Sequence, residues 1–192
     1  MELTEIEYLN QFEENMQAEL LKLCSSLSAL KGVLLASDDI DLRWKEIAPE
    51  YMADAMRELN DYPTVAIAWA GYVGMAIAEW WDSDWQTGAT KPYSSLHGAQ
   101  GFDDMDEHIL LDILSIPLES EEAKRIENTL RSCAQLAITL IRREGIEAQT
   151  TKAFYIFSRT ARALYRIGAA LRLHALGYKF ERVDMPTSAL PN

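Results

Sequence analysis

The sequence predicts an all-α protein, a single-domain bundle of about six helices with a central, mostly apolar helix. Apolar residues recur at steps of three and four over long stretches, which is the period of an amphipathic helix. Helix-capping residues precede several of these stretches, and Gly or Pro follows them. No stretch alternates convincingly as a strand, although Tyr178 to Val183 could form a short one. A chain of 192 residues is long enough to bury one core without a disulfide or a metal.

The first predicted helix begins at a capping box and ends near Gly32. Thr4 and Glu7 have the Thr-x-x-Glu spacing in which two side chains satisfy free backbone N–H groups at a helix start. The apolar residues that follow at helical steps are Leu9, Phe12, Met16, Leu20, Leu23, Leu27 and Leu30. They predict a long amphipathic helix with one buried face.

Two further helices are predicted on either side of a break at Asn60 and Asp61. The segment 37–39 offers an N-cap, and Pro49 is expected in the first turn of a helix that reaches about Leu59. Pro63 opens the next helix, which we expect to end near Trp81. Small residues recur every four positions along it, and they favour close packing of another helix over room for a ligand: Ala66, Ala70, Gly74 and Ala78.

This apolar helix is predicted to lie inside the bundle and not in a membrane. Residues 62–78 carry no charge, and with Trp80 and Trp81 the run approaches the roughly 20 residues that span a bilayer. Acidic residues flank it on both sides, and no Lys or Arg lies nearby to orient a spanning helix. Its alanines and glycines also make it only weakly hydrophobic.

The remaining pattern predicts an irregular loop, three more helices and a tail. The helical period stops from Ser83 to Gly101, so we expect 19 residues of irregular structure there. A short helix capped by Asp103 or Asp104 should follow, then a long helix from Ser120 to Arg143. The last helix is expected from about residue 151 to residue 177. Residues 1–183 would then form one helical domain, and residues 184–192 a loosely ordered C-terminal tail.

The charge balance excludes several kinds of partner. Lys and Arg number 18 against 30 Asp and Glu, which gives a net charge of −12. Such a chain repels phosphate backbones and anionic lipid, so we expect no nucleic-acid and no membrane partner. The first seven residues carry three acids and no base, unlike the start of a signal peptide, so a cytoplasmic location is predicted. No glycine-rich phosphate loop is present, and no cofactor is expected.

The two cysteines are predicted to be reduced thiols packed as small hydrophobic side chains. Cys24 and Cys133 are 109 residues apart, and each lies among apolar positions of a predicted helix. A disulfide or a nucleophilic role is the less favoured interpretation. Neither residue has a second Cys or His at the spacing of a zinc site.

An acidic stretch provides one candidate site. Eight acids and only one base, Lys91, lie between residues 79 and 112. Glu79 and Asp82 share a helix face, and together with Asp104 and His108 they are candidate ligands for Mg²⁺ or Mn²⁺. The Glu-x-x-Asp pair is similar to one in the all-α nucleotide pyrophosphohydrolases, but their Glu-Glu-x-x-Glu motif is absent from residues 38–62. Helix caps and a solvated rim are the alternative interpretation.

A basic stripe on the last helix provides a second candidate site. Its members fall within about 80° on a helical wheel: Lys152, Tyr155, Arg159, Arg162 and Arg166. Arg159, Arg162 and Arg166 are candidate anion ligands because a guanidinium group matches a carboxylate or a phosphate. The alternative is that these arginines are solvated or pair with the protein's own acids.

These observations favour a cytoplasmic helical binding protein whose target is a protein partner or a second copy of the chain. Five tryptophans and eight tyrosines supply residue types that interfaces favour. The alternative is a metal-dependent hydrolase that uses the acidic cluster around residues 79–107. The sequence leaves the choice between a binding protein and an enzyme open.

Overall fold

The structure, a computed structural model, describes residues 3–32, 34 and 37–179. These residues form a single all-α domain with six α-helices and no strand, which confirms the predicted fold class. Two residues of a loop, Gly98 and Gly101, make an isolated β-bridge. The helices are α1 (Leu3–Ser26), α2 (Asp38–Glu58), α3 (Pro63–Gly88), α4 (Met105–His108), α5 (Glu121–Arg143) and α6 (Thr151–Ala175).

The apolar helix α3 is central, and its closest partner is α6. A Cβ added to Gly74 would lie 1.9 Å from the carbonyl oxygen of Tyr165, and one added to Gly168 would lie 1.8 Å from that of Gly71. The two backbones are therefore in direct contact on both sides of the crossing. For Gly74, this confirms that a small residue of α3 lets another helix come close. None of the helices in the described residues is long and apolar enough to cross a membrane.

Both ends of α1 differ from the prediction. The helix already includes Leu3, so Thr4 is not its N-cap, and it ends at Ser26 and not near Gly32. Ser28 adopts a left-handed conformation with φ 56°, and the carbonyl oxygen of Cys24 accepts a hydrogen bond from the backbone N–H of Ala29. Leu27 and Leu30 fit the apolar pattern, but such a pattern does not show where a backbone turn interrupts a helix.

Helix α2 is longer than predicted because it includes Pro49. The hydroxyl of Ser37 accepts a hydrogen bond from Ile40 N, which confirms the N-cap. The expectation that Pro49 stands in the first turn is wrong, since the helix continues through it. Proline has no N–H, so the carbonyl of Lys45 lacks its usual helical donor.

The predicted 19-residue irregular loop is wrong in its first part. Helix α3 continues to Gly88 across one non-helical residue, Asp84, whose carboxylate accepts hydrogen bonds from the backbone N and the hydroxyl of Thr87. Two 3₁₀ turns follow, at Tyr93–Leu96 and Phe102–Asp104. The chain here is a series of short helical turns that the sequence period does not reveal.

The later helices agree with the prediction. Asp104 is the N-cap of α4, which continues as a π-helical turn over Ile109–Ile113. Ser120 caps α5 by accepting from Ala123 N, and Thr150 caps α6 by accepting from Ala153 N. The predicted tail at 184–192 and the end of the possible strand at 178–183 lie outside the described residues.

Candidate functional site

The arginines of α6 meet a buried carboxylate on α1. Glu13 is only 4% exposed. Its Oε2 lies 2.7 Å from Arg159 Nη1, and its Oε1 lies 3.1 Å from Arg162 Nε. The side chain of Gln17 also donates to Oε1, at 3.1 Å. A buried carboxylate needs such partners, because removing a charge from water costs several kcal/mol.

The third arginine of the stripe is held by α2. Arg166 donates from Nε to Asp41 Oδ1 at 2.9 Å and from Nη2 to Oδ2 at 2.6 Å. Its Nη1 also lies 3.7 Å from Oε1 of Glu13. Burial acts to lower the pKa of Arg166, but the hydrogen bonds to Asp41 and the charges of Asp41 and Glu13 outweigh it and raise the pKa. This two-point pair joins α6 to the first turns of α2.

Arg162 is the least compensated member of the group. Burial, and then the neighbouring charges of Arg166 and Arg159, lower its pKa despite the charges of Glu13 and Asp41. The group contains three guanidinium ions and two carboxylates, so one positive charge is in excess. An additional anionic group would be stabilised most where Arg162 is accessible.

A groove of about 630 Å³ lies between α2 and α6, and Arg159 and Arg162 are part of its wall. Met56 and Phe154 also line it, and they are 40% and 42% exposed. Lys45 adds a further positive charge to the wall. The groove therefore combines an exposed apolar surface with cationic groups, in a protein whose net charge is −12.

The proposed metal residues of α3 are engaged with other side chains. Glu79 Oε2 accepts a hydrogen bond from Arg172 Nε at 2.6 Å, which joins α3 to α6. Asp82 accepts a hydrogen bond from the hydroxyl of Tyr178 at 2.7 Å. Through these contacts, Glu79 and Asp82 hold the C-terminal end of α6 and the residues that follow it against α3.

The other two proposed metal residues have separate partners. Asp104 accepts a hydrogen bond from Gln100 N at 2.9 Å. His108 has Asp112 Oδ2 2.8 Å from Nδ1 and the carbonyl of Ser95 3.2 Å from Nε2. Within residues 3–32, 34 and 37–179, no three His, Cys, Asp or Glu side chains are grouped so that they could hold a metal ion.

The sequence prediction named the arginines but missed the carboxylates that face them. Glu13 lies on the same helical stripe as Leu9, Met16 and Leu20, so a charged residue stands at a position of the core face. That position was a usable signal, because buried charges in proteins are paired. Asp41 has no such signal, since acids are common in the first turn of any helix.

Comparisons with known proteins found no matching family model, no matching curated protein and no matching solved structure.

Proposed function

We propose that this protein is a cytoplasmic binding protein whose groove between α2 and α6 holds an amphipathic segment of a protein partner, with acidic side chains beside apolar ones. The observation that carries the proposal is the exposed apolar pair Met56 and Phe154 next to an arginine group with one positive charge in excess. The cytoplasmic location and the protein partner are those that the sequence predicts, and the groove is the binding surface that we add to that prediction.

The apolar part of the groove supports a helical or extended peptide as the ligand. Helix-in-groove recognition uses a few apolar anchors from the partner and a matching apolar surface on the receptor. Methionine adapts its shape readily, which suits the exposed Met56 to a surface that must accept side chains. Burying the exposed parts of Met56 and Phe154 against a partner would contribute a favourable free energy of about 25 cal/mol per Å² of apolar area removed from water.

The charges of the groove support an acidic segment over a basic one. Arg159 and Arg162 have their first partners in Glu13, yet the group keeps a positive excess, and Lys45 adds to it. A partner carboxylate near Arg162 would complete the charge balance and gain charge-assisted hydrogen bonds. The protein as a whole carries a net charge of −12, so the positive excess distinguishes the groove from the overall charge.

A pair of labelled peptides tests the proposal. One is a helical peptide with Leu and Phe along one face and Glu beside it, and the other carries Lys in place of each Glu. We expect the acidic peptide to bind, and Met56→Asp to weaken its binding about tenfold, because the substitution puts a charge among the apolar anchors. Fluorescence anisotropy of the labelled peptide measures the affinity.

Leu42→Asp is the matched control, because Leu42 is an exposed leucine of the same helix that does not line the groove. It should leave binding of the acidic peptide unchanged. A basic peptide can bind the acidic surface elsewhere, so its binding should not depend on Met56. Equal effects of the two substitutions, or no binding of the acidic peptide, would refute the proposed groove.

The same variants distinguish a partner protein from a second copy of the chain. Light scattering over a range of concentrations measures the oligomeric state. A dimer that Met56→Asp dissociates would show that a second copy occupies the groove, and it would replace the proposed partner. The metal-dependent hydrolase stays a prediction of the sequence alone, and no contact among the described residues favours it.

A further inference from the structure

The two cysteines, 109 residues apart in the sequence, are neighbours in the core. Cys24 lies in the last turn of α1 and Cys133 in the middle of α5. Both are free thiols with no exposed surface, and their sulfur atoms are 3.6 Å apart. This agrees with the prediction of buried, reduced thiols, but it adds a contact that the sequence does not indicate.

The contact makes the two thiols chemically unequal. Either sulfur can donate the hydrogen bond that joins them, and when Cys133 donates it, this bond lowers the pKa of Cys24 against the effect of burial. The same hydrogen bond, together with burial, raises the pKa of Cys133. Since the thiolate is the nucleophile in thiol chemistry, the cysteine that ionises reacts first, and the other sulfur, 3.6 Å away, stands in position to react with its product.

We propose that Cys24 and Cys133 are an oxidation site at which a small peroxide converts the two thiols into an intramolecular disulfide. One thiol of the pair, for example that of Cys24, attacks one peroxide oxygen as its thiolate: an S–O bond forms, the O–O bond breaks, and the cysteine becomes a sulfenic acid with loss of water or an alcohol. The sulfur of Cys133 then attacks the sulfur of Cys24. The S–S bond forms, the S–O bond breaks, and the hydroxyl leaves as water with the proton of Cys133. Two electrons pass from the thiols to the peroxide.

A cavity lies close to the pair but does not reach the sulfur atoms. This cavity, of about 450 Å³, lies between the end of α1, α5 and the end of α6. Its wall includes Leu27 and Ser28, which follow Cys24, and Ser132, which precedes Cys133. The sulfurs themselves are covered, so oxidation needs a local opening at the end of α1. The left-handed Ser28 marks where that helix has already ended.

Closure of the bond requires only a short movement. The sulfurs must approach from 3.6 Å to about 2.05 Å, which a rotation of side chains and a small shift of the last turn of α1 can supply. The bond would join α1 to α5 and close a loop of more than 100 residues. Restricting so long a loop in the unfolded chain should raise the melting temperature by about 5–10 °C.

The test treats the native protein with hydrogen peroxide and follows three readouts. We expect intact mass to decrease by two hydrogens, the thiol count after denaturation to fall from two to none, and the melting temperature to rise. A dithiol reductant should reverse all three. Digestion without reductant should yield one cross-linked pair of peptides that contain Cys24 and Cys133.

Two variants control for other oxidation. Cys24→Ala and Cys133→Ala each keep one thiol, so neither should lose two hydrogens or become more stable on treatment. Retention of both thiols by the native protein, under conditions that already oxidise its methionines, would overturn the proposal. So would sulfinic acid, or a disulfide between two chains, as the main product. The peptide map of the native protein decides the question even if a variant does not fold.

Discussion

The two faces of α6 contact the rest of the protein in opposite ways. One face lies backbone to backbone on α3, where Gly168 and Gly74 leave no room for a methyl group. The other face carries Arg159, Arg162 and Arg166 toward carboxylates of α1 and α2. At the crossing with α3, packing depends on small residues, and the Arg172–Glu79 pair lies farther along the same helix. The stripe that faces α1 and α2 depends on matched charges.

The difference shows what each face allows for function. The α3 face is sealed, so it can only hold the bundle together. The arginine face is partly exposed and keeps an unbalanced positive charge beside the groove, so it can hold the protein together and still bind an acidic segment. Binding at this face would therefore use the charges that also stabilise the fold.

The largest effect is expected from closing the space on the α3 face. In Gly74→Ala the added carbon would lie 1.9 Å from the carbonyl oxygen of Tyr165, and a backbone atom cannot move aside alone. We expect the free energy of unfolding to fall by about 4 kcal/mol or more, because α3 and α6 must separate. Chemical denaturation followed by circular dichroism measures this change.

Gly71→Ala is the control on the same helix. Its added carbon would meet Cδ2 of Leu130 at 2.5 Å, the end of a flexible side chain that can rotate away. We expect a cost of about 1 kcal/mol or less. If the two substitutions had equal effects, the contact between the backbones of α3 and α6 would not be the feature that limits packing.

The contrast between the faces also explains which parts of the structure the sequence predicts. The close packing of α3 could be predicted from the sequence of α3 alone, because Ala66, Ala70, Gly74 and Ala78 recur at a fixed spacing. The arginine face depends on Glu13, which is 146 residues from Arg159, and no spacing rule connects the two. Two helix bounds were also predicted wrongly. A left-handed residue, Ser28, follows the end of α1 within a continuing apolar pattern, and α2 continues through Pro49.

The second largest effect is expected from removing the buried carboxylate of the arginine face. Glu13→Gln keeps the shape of the side chain but leaves Arg159 and Arg162 without their shared negative partner. Breaking a buried ion pair in this way should cost about 3 kcal/mol in the free energy of unfolding. Urea denaturation measures the change.

Glu14→Gln is the matched control, because Glu14 is the next residue along α1 and is exposed. It removes the same charge from the protein but breaks no buried pair, so its effect should stay within about 0.5 kcal/mol. A similar loss in both variants would mean that net charge, and not the buried pairing of Glu13, sets the stability of this face.

Of the three test substitutions, Arg162→Met is expected to have the smallest effect, and it separates internal pairing from anion binding. Glu13 keeps Arg159, Arg166 and Gln17 as partners when Arg162 is removed, and the remaining two arginines balance two carboxylates. We therefore expect a loss of between about 1 and 2 kcal/mol in the free energy of unfolding, with or without phosphate. Thermal melts with and without phosphate measure both quantities.

A different result would assign the arginines to a bound anion. If Arg162→Met left the unliganded protein as stable as before, pairing with Glu13 would contribute nothing at this position. If phosphate also raised the melting temperature of the native protein and not of the variant, Arg162 would be an anion ligand, because a ligand stabilises the state that binds it. Internal pairing predicts that the substitution lowers the stability of the unliganded protein. Phosphate should then change the stability of neither form, because it has none of the apolar contacts through which the proposed peptide would bind beside Arg162.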